Sequence, residues 1–113
     1  MSLVSGISRS GLEVASRQLA VSANNVANVG TEGFVPSRVE QRELPGGGVA
    51  GDVHQEVDPL AEVRADRALL APSRTDLAQE MVAQIKAATA YRASLASLRA
   101  EQETTGALLD TVK

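Results

Sequence analysis

The chain has 113 residues, a net charge of −3 with both signs spread along it, one histidine, no cysteine and two aromatic side chains, Phe34 and Tyr91. A chain of this length fits one compact domain at most, and with so few rings it has little from which to build a deep globular core. The inventory excludes disulfides and thiolate metal sites and offers no basic stripe for nucleic acid; no apolar run approaches the roughly 20 residues of a membrane span, and the N-terminus lacks the basic and apolar regions of a cleaved signal.

Residues 3–29 contain no proline and place apolar residues at helical spacing. Leu12, Ala15, Leu19, Val26 and Val29 follow a three-four alternation with Ser22 in the remaining slot, which predicts a heptad-type seam. Ile7, Val14 and Val21 form a second row, so the apolar face is wide enough to touch more than one neighbour. Gly6 and Gly11 weaken the first turns by about 1 kcal/mol each relative to alanine, and residues 1–10 are expected to order only when something holds them. The helix is expected to stop near Asn28, with Gly30 in the left-handed conformation at its C-terminal cap.

The end of that helix is chemically unusual. Asn24, Asn25 and Asn28 crowd together, although asparagine is a poor helix former and a buried amide must find partners. Fraying and C-capping account for Asn28 and leave Asn24 and Asn25 unexplained. These amides are expected to bond to the backbone of the following turn and to an adjacent subunit, fixing the angle at which the chain leaves the helix.

Val39, Gln41 and Glu43 then alternate with charged or polar neighbours, Pro45 and three glycines interrupt, and Val49, Gly51, Val53, Gln55 and Val57 alternate again. This pattern predicts a β-hairpin with a glycine loop. Two strands alone are marginal in water, so the hairpin needs a surface to lie on. The glycines do not form a phosphate-binding loop, because no Lys-Ser or Lys-Thr follows them. Residues 60–70, bracketed by Asp58-Pro59 and Ala71-Pro72, suit either a short helix or an extended arm.

A second helix is expected to begin within residues 73–76, where Ser73 with Asp76 and Asp76 with Gln79 are overlapping capping-box pairs. Its predicted seam is Met81, Ala88, Leu95, Gln102 and Leu109, alternating with Leu77, Gln84, Tyr91, Leu98, Thr105 and Val112. Val82 and Ile85 widen that face, and Gly106 is its one weak point. At 1.5 Å per residue the two helices measure roughly 40 and roughly 55 Å. They are expected to pack antiparallel, leaving the distal part of the second without a partner in its own chain.

Candidate chemistry is sparse. His54 has no second histidine and no cysteine with which to share a metal, and it reads as a partly exposed strand residue. Glu13 and Arg17 are a surface pair at i,i+4 spacing, worth a few tenths of a kcal/mol. No catalytic residue, cofactor or metal is expected.

The segment Ser22-Ala-Asn-Asn-Val-Ala-Asn-Val-Gly-Thr-Glu-Gly-Phe34 resembles the signature of the flagellar rod, hook and hook-filament junction proteins. Their first helix ends in Ala-Asn-Asn-Ile-Ala-Asn, followed by Thr, Gly and an aromatic residue, and Gly11 to Leu19 also looks like that family's first helix. The stretch from Pro72-Ser-Arg-Thr-Asp-Leu-Ala-Gln-Glu-Met-Val-Ala-Gln-Ile85 to Tyr91 is similar to the family's C-terminal domain, which reads Val-Asp/Asn-Leu-x-Glu-Glu-Met and then an Arg-Ala-Tyr element. Here Ala90-Tyr91 is kept, while the Gln-Arg before it is replaced by Ala88-Thr89. Family members usually carry a much larger middle region than residues 33–72, so this chain resembles a short member, closest in size to the proximal rod proteins.

The fold expected from the pattern is mainly α: antiparallel N- and C-terminal helices in a coiled-coil-like hairpin, with a small β-hairpin insertion. Residues 1–30 would form the first helix, 31–74 the turn, hairpin and linker, and 75–113 the second helix. The resemblance implies a structural subunit of the flagellar basal-body rod, exported by the type III apparatus without a cleaved signal peptide. It would assemble with other rod proteins and with copies of itself into a periplasm-spanning tube. The expected assembly interface is Leu12, Leu19, Asn24, Asn25, Val26, Asn28, Thr31, Gly33 and Phe34, with Leu77, Met81, Ile85, Tyr91, Leu95 and Leu98 from the second helix. A reading from another class is a small helical-hairpin adaptor or secretion chaperone that stays in the cytosol.

Overall fold

The computed structural model describes residues 3–57, 59–60, 62–63 and 72–112. Helix α1 spans Leu3–Ala27, strand β1 Ser37–Glu43, strand β2 Val49–Gln55 and helix α2 Leu77–Val112. The fold is mainly α, two long helices packed together with a two-stranded antiparallel hairpin between them in sequence. The molecule measures 75 × 26 × 14 Å. The helices run antiparallel, because Ser22 near the end of α1 meets Glu80 near the start of α2, whereas Gly11 meets Ser94 further along. The undecided stretch 60–70 lies largely outside the described residues.

The sequence patterns set the element boundaries. Asp76 caps α2, its Oδ1 accepting from the backbone N–H groups of Ala78 and Gln79 at 3.0 and 3.3 Å; these are two of the donors that the first turn of any helix leaves unpaired. Gln79 does not complete a capping box, because its side chain accepts from Arg38 instead. Ser73 is engaged locally with Thr75. At the other helix terminus the expectation for Gly30 fails. Gly33, not Gly30, has a positive φ, at 73°. The helix unwinds through short-range bonds from the N–H of Asn28 to Asn24 O and Asn25 O and from Val29 to Val26 O, so no left-handed residue is needed until the turn reverses at Gly33.

The hairpin pairs Ser37 with Gln55 through Glu43 with Val49, and its loop holds Gly46, Gly47 and Gly48 at positive φ. It lies on α1. The backbone N–H of Val49 donates to Ser10 Oγ at 3.1 Å, and Arg17 donates to Gly51 O. Gly51 is buried over Val14; a Cβ there would stand 2.8 Å from Val39 Cγ1 and 3.5 Å from the methyls of Val14. Val14 is thus the point where helix and hairpin close on each other, which satisfies the need of two strands for a supporting surface.

On α1 the predicted positions Val14, Ala15 and Ser22 are buried, whereas on α2 the inward row differs from the predicted one by a rotation. Buried positions on α1 are Ser5, Ser8, Val14, Ala15, Ser22 and Asn25, and on α2 Glu80 and Ala87. The inward row of α2 runs through Glu80, Ala87, Ser94 and Glu101, one residue before the predicted row of Met81, Ala88, Leu95 and Gln102. Leu12, Leu19, Val26, Leu95 and Leu98 are half-buried, while Leu77, Met81, Ile85 and, at the edge, Tyr91 are exposed. The cause is close packing. At Gly11 an added Cβ would lie 2.6 Å from Ser94 Oγ, so only small side chains fit between the two backbones there. Ile7 and Val29, predicted for apolar rows, are exposed as well. The first turns are helical, with Ser5 and Ser8 buried.

Candidate functional site

The most densely bonded part of the molecule is where the end of α1, the start of α2 and the first residue of β1 converge. Asn25 is fully buried and uses both ends of its amide on one main-chain unit: Nδ2 donates to Ser37 O and Oδ1 accepts from Ser37 N–H, each at 2.9 Å. The same Nδ2 donates to Glu80 Oε1 at 3.1 Å. Thr75 Oγ1 donates to Asn25 O at 3.0 Å, and Ser22 Oγ to Glu80 O at 3.2 Å. One amide therefore ties together both helices and the hairpin.

Glu80 is the charged member of this cluster and has no exposed surface. Its Oε1 also accepts from Arg38 Nη1, while Arg38 Nε reaches Glu56 at 2.7 Å and Nη2 reaches Gln79 at 2.9 Å. Arg38 thus links β1 to the segment after β2 and to α2. Partial burial works against its charge, but hydrogen bonds to Glu80 and Glu56 and their negative charges outweigh that and hold the guanidinium above its ordinary range. A buried carboxylate is tolerable only with such compensation.

The other asparagines act locally. Asn28 Nδ2 donates to Asn24 O at 2.9 Å, and Thr31 Oγ1 donates to Asn28 Oδ1 at 3.1 Å. The N–H of Phe34 bonds Thr31 O, and Phe34 O accepts from the N–H of Arg74 just ahead of α2. Asn24, Asn28, Thr31, Gly33 and Phe34 therefore shape the turn, and Asn25 fastens it. Leu77, Met81 and Ile85 lie outward on the neighbouring surface of α2, while Tyr91 borders a groove with Leu12 and Ser16 further along. The structure does not gather the predicted residues into one patch.

Glu80 and Arg38 were not among the predicted site residues. The signal for Glu80 was available, because it falls one heptad before Ala87 and two before Ser94 on the row of small residues. Arg38 gave no signal, since nothing in a hairpin pattern marks which arginine will meet a helix. Nothing among the described residues forms a group able to hold a metal ion. No described helix is long and apolar enough to cross a membrane.

Residues 7–34, the first helix and the turn after it, match the family model for the flagella basal body rod protein. The match covers the asparagine cluster and ends at Phe34. No curated protein matches the chain.

Proposed function

We propose that this chain is a building block of the flagellar rod that polymerises through its two terminal helices into an axial tube, reaching its place by the flagellar type III export route. The observation that carries the reading is the bond between Asn25, inside the family match, and Glu80, inside the C-terminal stretch that resembles the same family. Separate segments at the two ends of the chain form one junction, as expected if both terminal helices act as one assembly unit. A second support is the balance of burial. Among the described residues the buried hydrophobic side chains are small, Val14, Ala15 and Ala87 with Pro36 beside them, whereas Met81, Ile85, Leu108 and Leu109 are exposed. That apolar surface gains by meeting other copies or other rod proteins.

In this reading Leu77, Met81 and Ile85 form the outward part of the interface, and Asn25 acts indirectly by holding the hairpin angle. Co-purification tests it: a rod subunit is recovered with basal bodies isolated from cells of the native bacterium. Recovery only in the soluble cytosolic fraction would replace this reading with an adaptor or secretion chaperone.

A further inference from the structure

The hairpin has one edge held by a helix and one edge left open. Pro36 O accepts from the N–H of Glu56, and Asn25 takes both main-chain groups of Ser37, so in β1 the even positions point towards β2 and the odd positions away from it. The outward edge of β2 rests on α1, through Val49 N–H to Ser10 Oγ and Arg17 to Gly51 O. On β1 the outward N–H and C=O groups of Val39, Gln41 and Glu43 have no partner among the described residues. Neither a proline nor a bulge interrupts this edge, and no helix covers it, so the usual means of closing an edge are missing.

The open edge overlooks a trough. At one end Val39 stands across from Ala83 and Lys86 of α2, with Gln18 and Val21 of α1 between them. At the other end Glu43 and Leu44 stand across from Ala93 and Ser97. No Cα of either strand lies within 8 Å of a Cα of α2, so the gap separates the strands from that helix throughout. The two ends carry opposite charge. Lys86 and Glu43 are both exposed and have no ion pair among the described residues, while Arg38 and Glu80, beside Lys86, neutralise each other. Glu80 also lines the Lys86 end, and its buried Oε2 has no hydrogen-bond partner.

We propose that this trough takes an extended segment of another protein, added to β1 as a third, antiparallel strand, with a basic side chain at its start beside Glu43 and an acidic one at its end beside Lys86. A row of alternating main-chain donors and acceptors is matched best by another extended main chain, and the two charges fix its direction. An antiparallel copy of the hairpin does not fit, because it would bring the α1 on which it lies into the space of α2. The site is separate from the Leu77, Met81 and Ile85 face of the rod reading and does not depend on it.

The probe is a synthetic peptide of alternating valine and threonine, with lysine at its N-terminus and aspartate at its C-terminus, titrated into the isotope-labelled full chain. The amide resonances of Val39, Gln41, Glu43 and Lys86 are expected to shift together. N-methylation of the pairing amides of the peptide should weaken binding by about tenfold or more. Exchanging its lysine and aspartate should weaken binding several-fold, and Lys86→Glu should reverse that preference. Gln41→Pro should abolish binding and leave the β1–β2 ladder intact, because the N–H it removes points away from β2. The proposal is overturned by an absence of shifts along the edge, by equal binding of the N-methylated peptide, by an unchanged preference in Lys86→Glu, or by an unchanged response in Gln41→Pro. Edge shifts that follow the concentration of the chain without peptide would assign the edge to a second copy and overturn it as well. Recovery with basal bodies, which tests the rod reading, is unaffected by any of these results.

Discussion

The two ends of this molecule are held in opposite ways. At the end where α1 stops and α2 starts, a fully buried amide is satisfied by side chains and backbone from three elements, and the fully buried Glu80 is held through Oε1 while its Oε2 has no hydrogen-bond partner. At the other end, the last turns of α2 carry leucines and a valine in the open. Polar bonding inside a low-dielectric junction is directional and fixes one geometry, whereas apolar surface binds with little orientation of its own. The junction sets the shape of the chain, and the open end leaves apolar surface uncovered.

Breaking the junction should cost most. Arg38→Ala removes the cation from a buried Glu80 and is expected to lower unfolding free energy by about 3 kcal/mol or more, read by urea denaturation followed by circular dichroism. A loss below 1 kcal/mol would mean that Glu80 finds other compensation. Because the guanidinium is held above its ordinary range, its charge and the stability it confers are fully present below that range and fade only at extreme alkaline pH. Asn25→Leu leaves the Ser37 N–H and C=O without their partner and takes one donor away from Glu80 Oε1, at about 2–3 kcal/mol by the same measurement. Asn28→Leu, at a more open site, should cost far less; equal costs would contradict the division of labour between the two amides.

Between these extremes lies the hairpin contact. Gly51→Ala forces a methyl against Val39 and Val14, for a loss of about 1–3 kcal/mol visible as a lowered Tm. Asp76→Ala removes the α2 cap and should cost about 1 kcal/mol. The smallest effect is expected on the outer face of the hairpin, where Arg42 and Asp52 pair at 2.9 Å with both side chains more than half exposed. Arg42→Ala should change stability by less than about 1 kcal/mol, and a larger loss would show that the exposed pair matters more than its setting implies.

Both helices and both strands were legible in the sequence because each rests on a local period. The three-four spacing marks α1 and α2, the alternation around Pro45 and the glycines marks the hairpin, and Asp76 marks a helix start. The rotation of the helix seam was not legible by counting leucines. Leu77, Met81 and Ile85 outrank Glu80 and Ser94 on any hydrophobicity scale, yet Gly11 and Ser94 bring the backbones too close for large side chains. Glu80 goes inward because Asn25 and Arg38, from distant parts of the chain, meet it there. Such an arrangement has no local signature. The oddity of the asparagine cluster did have one, since three amides near a helix end are hard to explain without partners, and the Asn25 amide has three hydrogen bonds to account for it.

Asn25 grips the peptide unit of residue 37 rather than its side chain. Position 37 can therefore drift through almost the whole amino-acid alphabet without loosening the joint, provided that it keeps its N–H, so proline alone is forbidden there on hydrogen-bonding grounds. Position 25 has no such latitude. Aspartate offers no donor, and glutamine places its amide one methylene too far along.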